Sequence, residues 1–125
     1  MNKLTFLSEI AKPLKEMGFR KNKAYWYKAY NELLFCINVQ GSQWCKNDYY
    51  VEIGVAFCSN EKSSPSLLQW YCRHRCIGAN GEKNVLPGEL LTSVSEIFDK
   101  IHSIEDLNNL LVEKQAAKVV SQYWF

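Results

Sequence analysis

The chain has 125 residues, of which 47% are apolar and 22% are charged, and its formal net charge is +2. This length and composition are typical of one globular domain, residues 1–125, which can bury a core without metals or disulfides. A net charge so close to zero argues against binding by charge alone, whether to nucleic acid or to an acidic membrane surface.

The sequence contains no segment that suits a signal peptide or a membrane span. The first apolar run, at 4–7, ends at Ser8 and Glu9, whereas a signal peptide needs an apolar core of about 7–15 residues. The five cysteines are an odd number and fall mostly in expected strands, which is typical of reduced thiols. We therefore expect a cytoplasmic protein that does not contact the membrane.

The first expected element is a helix over residues 3–17. Asn2 is a suitable N-cap, and Gly18 can take the left-handed conformation that ends a helix. Pro13 lacks an amide donor, and this predicts either a kink or a helix that begins nearer Pro13. The apolar stripe at helical spacing consists of Leu4, Leu7, Ile10 or Ala11, Leu14 and Met17.

Three strands are expected next, at 24–30, 33–40 and 49–58, because these runs are rich in aromatic and β-branched residues. Asn31 and Glu32 predict a two-residue hairpin turn that places Tyr30 opposite Leu33. Side-chain alternation then directs one set of residues toward the core: Trp26, Phe35, Ile37, Val39, Val51, Ile53, Val55 and Phe57. The opposite, second face receives Tyr25, Tyr27, Leu34, Cys36, Asn38 and Glu52.

The segment 70–77 raises the question of a metal site or a reactive thiol, because His74 lies between two cysteines. In a strand, Cys72 and Cys76 are about 13 Å apart, which is too far for two ligands of one zinc ion. In a helix the two thiols could chelate an ion, but His74 would point away. A strand also holds His74 about 7 Å from each thiol, too far for a Cys–His nucleophilic pair. We expect a strand with Trp70, Cys72 and Cys76 inward, and no catalytic residue, metal or cofactor.

Two helices are expected after the strands, at 87–101 and from Ser103 to about Gln122. Pro87 lies near the start of the first, and Ser103 with Asp106 resembles a capping box at the start of the second. The expected fold class is α+β. It comprises an N-terminal helix, an antiparallel sheet of about four strands, and two C-terminal helices packed on one sheet face.

Four segments resemble a bacterial family of domains of unknown function, DUF4304; they read LKEMGFRKNKAYWYK, FCINVQGSQW, YVEIGVAF and CRHRCIG. The resemblance covers about residues 4–78, and Cys76 interrupts the last segment between Arg75 and Ile77. It implies a bacterial, cytoplasmic single domain with antiparallel strands. It carries no assigned activity, although small domains of similar type occur as immunity-like or accessory proteins beside toxin genes.

The second sheet face is the candidate binding surface. Tyrosine and arginine are enriched in binding hot spots, and the candidate residues are Tyr25, Tyr27, Tyr50, Arg73 and Arg75, with Leu34 beside them. These residues predict a non-catalytic interaction module whose partner is another protein or a second copy of the chain in a dimer. The alternative is that a C-terminal helix or a second subunit covers this face as core.

Two other functions remain open. The tyrosines could stack on single-stranded nucleic acid while Arg20 and Lys23 contact phosphates, although the small net charge argues against a nucleic-acid partner. A small-molecule enzyme would instead use Cys72, His74 or Cys76. Thiol labelling separates this reading from one in which the cysteines are core residues.

Overall fold

The computed structural model describes residues 1–44, 47–57, 64–78, 84–119 and 122–125, so Cys45 and Cys58 lie outside it. Its helices are α1 (Lys3–Glu16), α2 (Pro87–Phe98) and α3 (Ile104–Glu113), with a short 3-10 helix at Leu67–Gln69. Its strands are β1 (Arg20–Asn22), β2 (Tyr25–Tyr30), β3 (Leu33–Gly41), β4 (Tyr49–Phe57), β5 (Cys72–Cys76), β6 (Ala117–Val119) and β7 (Gln122–Trp124).

The strands form one seven-stranded sheet in the order β1-β2-β3-β4-β5-β7-β6. Its pairings are antiparallel except for that of β5 with β7, which is parallel. The helices pack on one face of the sheet, which we call the helix-covered face. The α+β class is thus confirmed, and the sheet has seven strands where the sequence predicted about four.

Helix α1 begins at Lys3, not nearer Pro13, and it continues through Pro13 to Glu16. The side chain of Asn2 accepts a hydrogen bond from the Thr5 amide at 2.9 Å, as expected of an N-cap. At the other end, Gly18 has a φ of 96°, and the amides of Gly18 and Phe19 close the helix in a Schellman motif. The buried stripe differs from the expected one, because Leu4 is exposed and the core residues are Phe6, Ile10 and Leu14.

The hairpin of β2 and β3 has the predicted register. Tyr30 pairs with Leu33, Lys28 with Phe35, and Trp26 with Ile37. Because the turn contains only two residues, the strand alternation is fixed from the turn outward. The prediction that Phe57 points into the core is wrong. Phe57 lies at the end of β4, where it is half exposed and its ring contacts that of Tyr71.

The prediction of a final helix to Gln122 is wrong. Helix α3 ends at Glu113, and the chain returns as the β6–β7 hairpin. Gln115 takes a left-handed φ of 50°, while its amide and that of Ala116 bond back to Val112 and Leu111. This is the same Schellman termination that Gly18 provides for α1, built here on a residue that rarely takes this conformation. In the described residues, no helix is long and apolar enough to cross a membrane.

Candidate functional site

The face opposite the helices, which we call the second face, carries all five candidate binding residues. Cross-strand pairing sets out two rows on this face. One row runs Tyr25–Asn38–Glu52–Arg75, and the other runs Tyr27–Cys36–Gly54–Arg73–Trp124. Tyr50 joins them two residues before Glu52, since alternate residues of a strand share a face.

A stretch of the chain itself covers one half of the second face. We call residues 64–70 the cover segment. The hydroxyl of Tyr27 donates a 2.8 Å hydrogen bond to the carbonyl oxygen of Pro65, and the amide of Leu67 donates to the Tyr25 hydroxyl at 3.3 Å. Tyr27 is only 2% exposed and Leu34 is fully buried. The expectation that Tyr27 and Leu34 lie at the surface is therefore wrong, because a loop covers them.

Trp70, the last residue of the cover segment, packs on the sheet in a different position from the one predicted. It was expected in the core with Cys72, but it precedes β5 and packs on the second face with Tyr27 and Cys36. Gly54 makes the contact possible. A Cβ at Gly54 would lie 2.6 Å from the Trp70 ring and 2.3 Å from the carbonyl oxygen of Cys72.

The other half of the second face is organised around the fully buried carboxylate of Glu52. Arg73 donates from Nη1 to Oε2 at 3.3 Å, and Arg75 donates to Oε1 from Nε at 3.1 Å and from Nη2 at 2.6 Å. Glu52 was expected to point outward, and it does, but the two guanidinium groups remove it from solvent. A buried carboxylate needs such charged donors, because its desolvation is otherwise prohibitive.

Aromatic rings hold both arginines in place. The Trp124 ring centroid lies 3.7 Å from Cζ of Arg73, and the Tyr50 centroid lies 4.8 Å from Cζ of Arg75. Burial lowers the pKa of Arg73, with Glu52 opposing and Arg75 reinforcing the shift. The Arg75 side chain is 43% exposed, whereas that of Arg73 is 14% exposed. We call Tyr50, Glu52, Arg73, Arg75 and Trp124 the arginine–aromatic cluster.

The sequence named three members of this cluster as candidate binding residues, placed Glu52 on the same face without giving it a role, and missed Trp124. Tyr50, Arg73 and Arg75 follow from strand alternation, which needs no knowledge of strand order. Trp124 was assigned to no element, because the expected final helix ended at about Gln122. The aromatic pair Tyr123 and Trp124 beside the β-branched residues at 119–120 was a signal for a strand that the helix assignment overrode.

Several buried polar atoms on the second face have no partner among the described residues. Burial of an unpartnered polar atom is costly, so each such atom calls for a water or a ligand group. By strand parity and packing, all four lie on the second face: Asn38 Oδ1, Trp70 Nε1, Arg73 Nε and Gln122 Nε2. The polar chemistry of the sheet is thus concentrated on this side.

The cysteines of β5 lie on the helix-covered face. Burial raises the pKa of both Cys72 and Cys76 to about 12, so both remain thiols at neutral pH and are poor nucleophiles and metal ligands. His74 makes a hydrogen bond through Nδ1 to the backbone oxygen of Phe125. Across the described ranges, no three His, Cys, Asp or Glu residues are grouped so as to hold a metal ion.

The chain matches the model of a known protein family. The model of a family described as "Domain of unknown function (DUF4304)" matches residues 10–103. The match extends through β5 and α2, beyond residue 78, where the resemblance seen in the sequence ended. No curated protein and no solved structure matches the chain.

Proposed function

We propose that this chain, which belongs to the DUF4304 family, is a non-catalytic protein-interaction module that binds its partner through the arginine–aromatic cluster. The observation that carries the proposal is the buried Glu52 carboxylate, which fixes two arginines beside half-buried aromatic rings. Arginine and aromatic side chains fixed in this way are the residues that dominate protein interfaces.

Fold stability alone is a weak reason for such a cluster. Replacing a buried ion network with apolar residues of similar volume is often neutral or stabilising, by about 1–4 kcal/mol. The network does, however, hold the exposed guanidinium of Arg75 in one orientation. A group ordered in advance loses less entropy on binding, so the arrangement supports recognition of a partner.

The described residues offer little to a catalytic reading. Both carboxylate oxygens of Glu52 already accept hydrogen bonds from arginine, which leaves this group poorly suited to act as a general base. The thiols of Cys72 and Cys76 are buried on the opposite face, and their raised pKa values keep them protonated. These observations favour binding over chemistry.

The nucleic-acid hypothesis needs exposed tyrosine rings on which bases can stack, and the two tyrosines of β2 do not provide them. Tyr27 is buried beneath the cover segment, and Tyr25 accepts a hydrogen bond from the same segment. Tyr50 and Trp124 remain nearer the surface, but both rings pack against arginines. A protein partner, or a second copy of the chain, therefore accounts better for this surface.

The proposal extends to the setting in which the module acts. Buried, reduced thiols such as Cys36, Cys72 and Cys76 suit the cytoplasm of a bacterium, where disulfides are rare. An immunity-like or accessory role, in which small domains of similar type occur, would be carried out by binding of this kind.

Selection from a displayed random-peptide library, using the folded protein as bait, tests the proposal. Selected peptides are compared on wild type, Arg75→Gln and Tyr50→Leu, with Lys12→Gln as control because Lys12 is an exposed cation on α1. The cluster variants should weaken binding by about tenfold or more, as expected when an interface anchor is lost. The Lys12 variant should bind as wild type does.

A triple variant, Glu52→Leu, Arg73→Leu and Arg75→Leu, guards against loss by misfolding. Its unfolding midpoint should lie at a urea concentration at least as high as that of wild type, and yet it should fail to bind the selected peptides. Peptides that bind all variants equally would overturn the proposal, as would a library without binders. A severe loss of stability in the triple variant would assign the cluster to folding instead.

A further inference from the structure

We infer that the group recognised by the arginine–aromatic cluster is a carboxylate, presented by an acidic segment of the partner protein. This inference rests on the proposed function. The cluster contains two guanidinium groups and one carboxylate, so one positive charge is left without a counter-charge inside it. An anionic group of the partner would complete the balance.

The geometry of Arg75 shows where the partner group fits. Its Nε and Nη2 atoms both donate to the same oxygen of Glu52, so Glu52 occupies one edge of the guanidinium fork. The other edge, formed by Nη1 and the second N–H of Nη2, has no acceptor among the described residues. A carboxylate matches such an edge with two parallel hydrogen bonds.

The rings beside Arg75 favour this edge-on approach. Cζ of Arg75 lies 4.8 Å from the centroid of Tyr50 and 5.8 Å from that of Trp124. Rings at these distances hinder a ligand from approaching the flat face of the guanidinium, and they hold the guanidinium in one orientation. The Arg75 side chain remains 43% exposed beside these rings, and the free edge is the approach that we assign to the partner.

The size of the charge surplus favours a carboxylate over a nucleic-acid backbone. One unit of charge is neutralised by one carboxylate, whereas binding a phosphate chain tightly takes several cations at once. Arg75 already donates to a carboxylate oxygen of Glu52 from its other edge, so its guanidinium suits a carboxylate acceptor.

Nuclear magnetic resonance titration of ¹⁵N-labelled protein tests the inference with defined probes. The probes are a tetraglutamate peptide, a tetraglutamine peptide and a four-nucleotide oligothymidylate. Tetraglutamate should shift the Nε–H signal of Arg75 and the indole N–H signal of Trp124 in a saturable manner, and tetraglutamine should leave both in place. Arg75→Lys, which keeps the charge but loses the fork, should weaken tetraglutamate binding about tenfold. Lys12→Gln should not change it.

Each outcome separates this inference from the proposed function. No shift with tetraglutamate, or equal binding by Arg75→Lys, would overturn the carboxylate assignment. Stronger shifts with the oligothymidylate would replace it with a phosphate ligand. Selected library peptides that need Arg75 but contain no acidic residue would refute the carboxylate assignment and leave the interaction module standing. A lack of any Arg75-dependent peptide would refute both.

Discussion

The substitution Gly54→Ala should destabilise the protein markedly, because the neighbouring strand β5 and the Trp70 ring leave no room for a methyl group. The added Cβ would lie 2.3 Å from the carbonyl oxygen of Cys72 and 2.6 Å from the Trp70 ring. The nearer atom belongs to the backbone of the neighbouring strand, which cannot move without disturbing the pairing of β4 with β5. The variant must therefore displace Trp70, open the strand pair, or do both.

The size of the effect has an upper and a lower bound. Overpacking a well-filled core costs about 1–3 kcal/mol. A tryptophan buries about 150–250 Å², so expelling Trp70 completely costs about 4–6 kcal/mol at about 25 cal/mol per Å². Because backbone as well as ring must move, we expect about 3 kcal/mol. For 125 residues, this lowers the melting temperature by about 11 °C, at an unfolding entropy of about 2.1 cal/mol/K per residue.

Urea unfolding followed by circular dichroism measures the change, and the chain offers a matched control. Gly88 lies in the first turn of α2, and a Cβ there meets nothing within 4 Å. Gly88→Ala should stabilise the protein by about 0.5–1 kcal/mol, since alanine suits a helix better than glycine does. A Gly54→Ala variant within about 0.5 kcal/mol of wild type would refute the packing argument.

Three further predictions concern groups away from Gly54. Tyr27→Phe should lose about 1 kcal/mol with its hydrogen bond to the cover segment. Because burial raises the pKa of Tyr27, its stabilising effect is complete below pH 10 and declines above it, so urea titrations should show less alkaline destabilisation in Tyr27→Phe than in wild type. Mass spectrometry after thiol labelling at pH 8 should find Cys36, Cys72 and Cys76 unmodified in the folded protein; modification there would contradict their burial. Gln115→Gly should raise the unfolding free energy by about 1 kcal/mol, by relieving a left-handed residue; a loss would oppose this.

The parts of the fold that were predicted correctly depend on local signals. A two-residue turn at Asn31 and Glu32 fixes the register of β2 and β3, and the glycine at position 18 marks the end of α1. Each signal lies within a few residues of the structure that it determines. For this reason the alternation of the β2–β3 hairpin could be predicted residue by residue.

The parts that were missed depend on contacts that the sequence does not display locally. The end of α3 falls on Gln115, a residue with no intrinsic preference for the left-handed conformation. The hairpin that follows is stabilised by the parallel pairing of β7 with β5, whose partners lie about fifty residues apart. Strand β1 was missed for the same reason, because its three residues, two of them basic, show no local pattern typical of a strand.

The candidate site combines both kinds of information. Alternation alone placed Tyr50 and Arg75 on one face, but the burial of Glu52 requires β4 and β5 to be neighbours. The sequence left open whether the second face is a binding surface or part of the core. The cover segment divides that face, so that the half around Tyr27 is core. The half around Arg75 keeps a side chain that is 43% exposed, and this is the half through which we propose that a partner binds.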